Sequence, residues 1–554
     1  MTRPNALTPR SLACACALLA LLLGCDPPTL TYHDLEPTPD LQPPALPLEP
    51  EYGLVINEVM TRNQSTIMDA TAVGGDLFPD WIELYHGGTE PIDLSRLVLR
   101  DRSDNAWAGM PGQLLPGEHL LLWADGTQAD GHLPFRLAGD GDNLTLLLDG
   151  QVLDRVATGQ MDRDTSWARF PDGGEWALTI DATPGWNNGL MPSATTDPSD
   201  ALFQRQRILD FHITLPQASY DSLDDNPRVW VPGSLAFAGA YFADVEVRLK
   251  GRAGSRRDLD EKCAVKVDLN DLVPGQGIRG INKLTFNNMV QDPSYVHEFL
   301  AYTIYRAAGL PAPRIGWSRL YINDEYFGLY LLIESVDDKM LERWYTDASG
   351  HLFEGAYGTD FEVAEVWDFE YDQGPDPDDR SDLLEAAYIL EREPTNAAIQ
   401  DLRNVIDLDQ FIMNMAIESL ILHWDGYTTS NNYRVYHDPV TDLFQIIPWG
   451  TDQTFDDYWY MPYEHGNGRS VVFQFCLANT DCRAQYSQAL ADVADLVDQL
   501  DLLPVVDELQ ALLYDDIVTD PRREHSLTRI NNKLHQTRQT LQLWPDQVRE
   551  QIEP

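Results

Sequence analysis

Basic residues are scarce in this chain: 39 Lys and Arg stand against 88 Asp and Glu over 554 residues, a net charge of −49. The acids are spread along the whole length, so nearly every surface is negative. That excludes nucleic-acid binding through a broad basic face, and favours a soluble surface that repels anionic lipid and collects divalent cations. Long apolar runs are missing too. The run at residues 12–23 is well short of the roughly 20 residues a helix needs to cross a bilayer, and no later segment is longer and equally apolar. Cysteine is sparse, six in all, with no CxxC or His-rich spacing of a zinc site. What is plentiful is apolar and aromatic content, 43% hydrophobic with 14 Trp and 23 Tyr, which is ample for large cores and excludes wholesale disorder.

Arg3 and Arg10, with no acid among the first ten residues, precede the apolar run in the pattern of a signal peptide. The run stops at Leu22-Leu23-Gly24-Cys25, which resembles a bacterial lipobox. The resemblance implies removal of residues 1–24, lipid on Cys25, and a chain anchored to a membrane outside the cytoplasm. Residues 25–50 hold eight prolines and little apolar periodicity, as in an extended tether. About 530 residues remain after the leader, which predicts two to four domains.

Residues 51–189 alternate short apolar strands with Gly, Asp and Asn turns and carry no convincing helix, an all-β sandwich pattern. Ile56-Asn57-Glu58-Val59-Met60, Asp80-Trp81-Ile82-Glu83-Leu84-Tyr85, Ile92-Asp93-Leu94 and Thr183-Pro184-Gly185-Trp186-Asn187, in that order, resemble a lamin-tail domain. This implies an immunoglobulin-like sandwich used for adhesion or targeting. Trp81, Ile82 and Leu84 are expected in its core, with Asp80 and Glu83 as turn and surface groups.

A polar linker, 190–204, leads into 205–554, where strands give way to mixed α and β. Asp292 and Pro293 are placed to start a helix that Gly309 and Pro311 end. Asn323-Asp324 reads as the turn of a hairpin that continues to Glu334. A second helix from Leu408 delivers His423-Trp424-Asp425-Gly426-Tyr427-Thr428-Thr429-Ser430-Asn431-Asn432, followed by two strands and Pro448-Trp449-Gly450-Thr451-Asp452. An Asp leaving a buried helix, amides a few residues on and an Asp at a strand end suit phosphoryl transfer: one acid to orient or deprotonate a hydroxyl, an amide and the other acid to hold a metal ion.

Val247-Arg248-Leu249-Lys250-Gly251, Lys262-Cys263-Ala264-Val265-Lys266-Val267, Lys283-Leu284-Thr285-Phe286-Asn287-Asn288, the Tyr326-to-Glu334 hairpin, the Asp425-to-Tyr433 loop and Pro448-to-Asp452 together resemble the CotH family. The resemblance implies an α+β atypical protein-kinase-like domain. It would use ATP and Mg²⁺, with Asp425 as catalytic acid, Asp452 and Asn432 or Asn431 as metal ligands, and Lys266, Lys262 and Lys250 at the phosphates, Lys266 preferred. Glu334 is implied as a lysine partner or metal ligand. Two departures stand out. Asp425 precedes Asn431 by six and Asn432 by seven residues where ordinary kinases use five, and Gly450 stands where many relatives carry Asp. No convincing glycine-rich phosphate loop is present, since Gly251-Arg252-Ala253-Gly254-Ser255 is short and weak on its own.

Cys476 and Cys482 are expected to form a loop disulfide in an oxidising compartment, and Cys263 to pack as a small apolar side chain. The acidic stretch 365–382 reads as solvated loop, with Asp372, Asp376, Asp378 and Asp379 left unassigned. Two functions follow: an extracytoplasmic kinase acting on Ser or Thr of a surface protein, or a surface-anchored adhesion protein with a degenerate kinase-like scaffold.

Overall fold

The computed structural model describes residues 53–552 apart from 65, 70–74, 128, 180–181, 186–187, 189–196, 238–239, 253 and 456–467. The leader, Cys25, the tether and Trp186-Asn187 lie outside the described residues.

The first unit is a sandwich of two antiparallel sheets. One has the order Glu175–Thr179, Ser166–Phe170, Leu54–Met60, Trp81–His86, His119–Trp123; the other Ala106–Trp107, Leu97–Arg100, Asn143–Leu148, Gln151–Ala157. Strand alternation sends Ile56, Ile82, Leu84, Leu99, Leu144 and Leu146 into the shared core. Two expectations change here. Trp81 sits on the opposite face from Ile82 and joins an apolar cluster with the next unit. Glu83, expected at the surface, is fully buried, as is Glu58. Glu58 accepts from the backbone and hydroxyl of Thr183 (2.9 and 3.1 Å), and Glu83 from Asn57 (2.9 Å) and the Gly185 backbone. The two acids therefore tie the closing Thr183-Pro184-Gly185 segment across the sheet, which is why they lie inside. Burial pushes both carboxyls above the ordinary range.

The second unit begins with a closed seven-stranded barrel, ordered Ile208–Thr214, Val231–Phe237, Ala240–Lys250, Ala264–Asp268, Lys283–Asn287, Glu325–Glu334, Ile315–Ile322. A parallel pairing of Ile208–Thr214 with Ile315–Ile322 closes it. Its interior is apolar and includes Val247, Leu249, Cys263, Val265 and Val267; burial pushes the Cys263 thiol up to about 12. Asn323 and Asp324 both have positive φ, the two-residue turn that matches strand twist. The expected linker is partly docked: Asp197 caps the short turn Pro198–Leu202 and, with Asp200, pairs with Arg314.

A four-stranded sheet, Glu370–Gln373, Leu352–Gly355, Tyr433–Asp438, Leu443–Pro448, packs with helices His297–Ala307, Leu408–Leu420, Thr480–Leu500, Leu502–Thr519 and Leu527–Ile552 around the largest core. The helix expected at Pro293 begins four residues later, because Asp292 turns the chain by accepting from Ser294 and His297 backbone N–H groups (2.8 and 2.9 Å) and Tyr295 adopts φ 66°. Cys476 and Cys482 are joined in a disulfide, but at a corner between helices Val471–Ala478 and Thr480–Leu500 rather than in a loop. Asn479 caps the second helix by accepting from Asp481 and Cys482. Part of the acidic stretch is ordered as strand, with Asp372 paired to Arg434 at 3.0 Å.

Lys262 and Glu334 were expected at the chemical site and are elsewhere. Lys262 precedes its strand and turns to Asp520, beyond the helix Leu502–Thr519, while lying over the Tyr330 ring. Both members of this pair are buried, which locks the C-terminal helices to the barrel. Glu334 is consumed by Arg314 (2.7 Å) and Arg343. Gly328 makes the Lys262 anchor possible: its φ is +121°, and a Cβ there would overlap the Asp520 carboxylate. Gly328→Ala is therefore expected to destabilise the fold by about 2–3 kcal/mol, read as a lower urea midpoint. An unchanged midpoint would refute the locking role.

Candidate functional site

Alternation along Ala240–Lys250 and Ala264–Asp268 fixes one wall of a cleft. Val247, Leu249, Val265 and Val267 face the barrel interior, so Arg248, Lys250 and Lys266 face outward, with Arg248 directly opposite Lys266. Arg228, Arg252 and Arg434 join them around a cavity of about 870 Å³. Six cations thus converge in a chain of net charge −49. Burial, followed by repulsion from Arg434, Lys250 and Arg248, brings the Lys266 ammonium down to about 7.

The loop 251–255, weak as a motif, lines this cavity through Gly251, Arg252 and Ser255. Gly251 and Gly254 have φ of +123° and +89°, conformations that favour glycine. Asn288 holds the loop through the Ser255 carbonyl (3.0 Å), and Arg252 reaches Glu370 on the other side at 2.9 Å.

The opposite wall comes from the helix Leu408–Leu420 and the loops after it. Glu418, buried near the end of that helix, accepts from the Tyr427 and Thr428 backbone N–H groups, both at 2.7 Å. Asp360 accepts from Ser430 at 2.8 Å and Tyr427 at 3.2 Å. These contacts shape the loop so that Asn431 and Asn432 each donate to the Asp425 carboxylate, at 2.8 and 3.0 Å. His423, fully buried and held down to about 4 by burial, ties this loop to the Gly450 carbonyl at 3.2 Å. With both amide nitrogens turned to Asp425, the amide oxygens are the groups left for a cation. Burial raises Asp425 above the ordinary carboxylate range, and its amide partners oppose the shift.

Asp452 and Glu298 complete the constellation. His297 is hydrogen-bonded to the Asp452 carbonyl (3.1 Å) and to Thr537 (2.8 Å), fixing that segment against two helices. Burial, with repulsion from Asp292 and Asp425, pushes Asp452 up to about 7; burial and Asp452 push Glu298 up to about 8. Lys250 opposes both shifts, so one ammonium is shared between two carboxyls. Such a crowded set fits a divalent cation, which would discharge it. Asp452 and the amide oxygens of Asn432 or Asn431 are oxygen donors of the kind a magnesium ion takes.

Of the residues singled out in the sequence, Lys250, Lys266, Asp425, Asn431, Asn432 and Asp452 line this one cavity; Lys262 and Glu334 do not. Sequence reasoning missed Glu298, Arg434, Glu418 and Asp360. The signal for Glu298 and Glu418 was a carboxylate inside the buried stretch of an apolar helix. Gly450 has φ +57°, and a Cβ would stand 2.9–3.1 Å from the Asn432 amide. Gly450→Asp is thus expected to displace Asn432 and lower stability by about 1–2 kcal/mol, measured by thermal unfolding; a gain in stability would contradict this packing.

Residues 49–160 match the family model described as Lamin Tail Domain, and residues 247–552 the one described as CotH kinase protein. Invasin CotH2 of Rhizopus delemar is 24% identical over 304 residues, 49% of this chain and 50% of that protein. Inner spore coat protein H of Bacillus subtilis is 21% identical over 273 residues, 46% of this chain and 74% of that protein. Invasin CotH3 of Rhizopus delemar is 24% identical over 300 residues, 48% of this chain and 49% of that protein. The chain therefore spans about half the length of the two invasins it matches. Among the described residues, no helix is long and apolar enough to cross a membrane. With its model covering more than half of the sequence in order, the chain belongs to the CotH kinase protein family.

Proposed function

We propose that this chain is an exported, lipid-anchored kinase of atypical protein-kinase-like architecture that transfers the ATP γ-phosphoryl to Ser or Thr of a surface protein. The observation that carries the reading is one cavity lined by Arg248, Lys250, Lys266 and Arg434 together with Asp425, Asp452 and Glu298. Polyphosphate and divalent metal are the ligand pair whose charges match those two sets of side chains. Lys250, Lys266 and Arg434 bind phosphate oxygens; Asp452 and the Asn432 or Asn431 amide hold magnesium; Asp425 orients the acceptor hydroxyl and takes its proton. Magnesium, when bound, neutralises phosphate charge as the bond to the leaving oxygen breaks.

The names of the relatives, an inner spore coat protein and invasins, support a surface location, as does the lipobox-like sequence ending at Cys25. The disulfide Cys476–Cys482 fits an oxidising compartment. The sandwich is the adhesive or targeting module.

Titration of Mg·ATP into the purified chain is expected to show binding that Asp452→Ala abolishes. Asp425→Asn retains binding and reduces phosphate transfer to acceptor protein at least ~100-fold. Absence of nucleotide binding by folded wild-type protein would remove the kinase reading and leave the anchored scaffold.

Lys266 adds a pH signature. Its depressed value means that the ammonium is charged below about 7 and neutral above. Metal-free tripolyphosphate affinity should therefore fall from pH 6 to pH 8 more steeply in wild type than in Lys266→Met, which removes this one titrating group and leaves the contributions of Asp452, Glu298 and the ligand in place. Parallel profiles in calorimetry would exclude Lys266 from phosphate binding.

A further inference from the structure

Outside the cleft, another group of buried ligand-type side chains lies at one end of the sandwich. Asp69, Asp125 and His132 are each at most 3% exposed, and one ligand atom from each lies within 4.8 Å of the others. They come from two separate loops. Asp69 follows the first strand and donates its backbone N–H to the Leu77 carbonyl at 3.0 Å. Asp125 and His132 belong to the turn after His119–Trp123. There Trp123 donates to Gly131, Leu133 donates to Trp123 and Gly126 donates to Leu133, at 2.9, 2.7 and 3.1 Å. This backbone ladder places the two side chains side by side.

The donors are also oriented. Asp125 Oδ1 accepts from the Thr127 backbone N–H (2.9 Å) and hydroxyl (2.7 Å), which turns Oδ2 toward His132 Nδ1 at 2.9 Å. Tetrahedral ligand atoms about 2.1 Å from one zinc ion stand about 3.4 Å apart, so this hydrogen-bonded pair has to open by only about 0.5 Å to take an ion in place of its proton.

From this geometry we infer that Asp69, Asp125 and His132 form a binding site for one divalent transition cation of the zinc type. An imidazole nitrogen with two carboxylate oxygens suits zinc better than calcium or magnesium, which take oxygen ligands in larger number. A water molecule or a second carboxylate oxygen fills the fourth position. On binding, the neutral imidazole takes the tautomer with its one ring proton on Nε2, so that the Nδ1 lone pair goes to the metal; no redox change is involved.

The location supplies a role. Met68 precedes Asp69 and Trp123 lies two residues before Asp125, and both belong with Met60, Ile67 and Trp81 to the apolar cluster that includes the barrel interior. Arg279 of the barrel unit also donates to the Ala182 carbonyl of the sandwich's closing segment. An ion joining the two loops would fix the apolar surface that the sandwich offers to the barrel. It would be a structural metal, separate from the magnesium of the cleft.

The test is calorimetric titration of ZnCl₂, with neither nucleotide nor magnesium, into the full chain stripped with chelator and dialysed. Zinc is expected to bind at a site whose affinity falls at least tenfold in Asp69→Asn and in His132→Gln, while any zinc taken up by the cleft is identified as the equivalent that Asp452→Asn alone removes. Co²⁺ added to the stripped wild-type protein supplies a second readout that needs no variant to fold: visible d–d bands with a metal-shifted His132 ring resonance. No zinc binding by folded wild type, binding unchanged in Asp69→Asn, or loss confined to Asp452→Asn would each overturn the assignment.

Discussion

The constraint on which the cleft of the second unit depends is the placing of Arg248, Lys250 and Lys266 in one cavity with Asp425, Asp452 and Glu298 without direct ion pairs between the two sets, while Arg434 and Arg252 are held by Glu354, Asp372 and Glu370. Lys250 shows it most clearly. It is partly buried, lies over the Trp449 ring at 5.5 Å, and moderates the charge on both Glu298 and Asp452. Each wall is made rigid by a different element: the barrel strands on one side, and the Glu418- and Asp360-bound loop on the other. Had the walls been flexible, the charges would meet and neutralise one another. Rigid, they leave a space in which a ligand carrying both signs is the better partner.

That rigidity is maintained from outside the cleft. Lys262 and Asp520 fasten the C-terminal helices to the barrel, Glu334 gathers Arg314 and Arg343, and His297 bridges Asp452 to Thr537. Buried ion pairs of this kind add little net stability but are expensive to break singly. They act here as positional restraints on the elements that carry the site.

Strand alternation and turn chemistry made much of this legible in the sequence. The sandwich pattern, the Asn323-Asp324 turn and the run from Leu408 to Asp452 all depend on local signals, and local signals survive in one dimension. Lys262 misled because alternation was extended two residues beyond the true strand start at Ala264. Glu334 misled because its partners, Arg314 and Arg343, are tertiary neighbours. Glu83 looked exposed because the segment that covers it arrives a hundred residues later. The corner between the helices joined by the disulfide read as a loop because a capping Asn and an ordinary loop Asn have the same appearance in sequence.

The central claim is that the two walls hold one nucleotide and one metal between them. A crystal structure of the chain with Mg²⁺ and a non-hydrolysable ATP analogue tests it most directly. The account requires phosphate oxygens within hydrogen-bonding distance of Lys250, Lys266 or Arg434, and a metal ion ligated by Asp452 and an amide oxygen of Asn432 or Asn431. Nucleotide bound outside this cleft, or a cleft empty at saturating ligand, would contradict it.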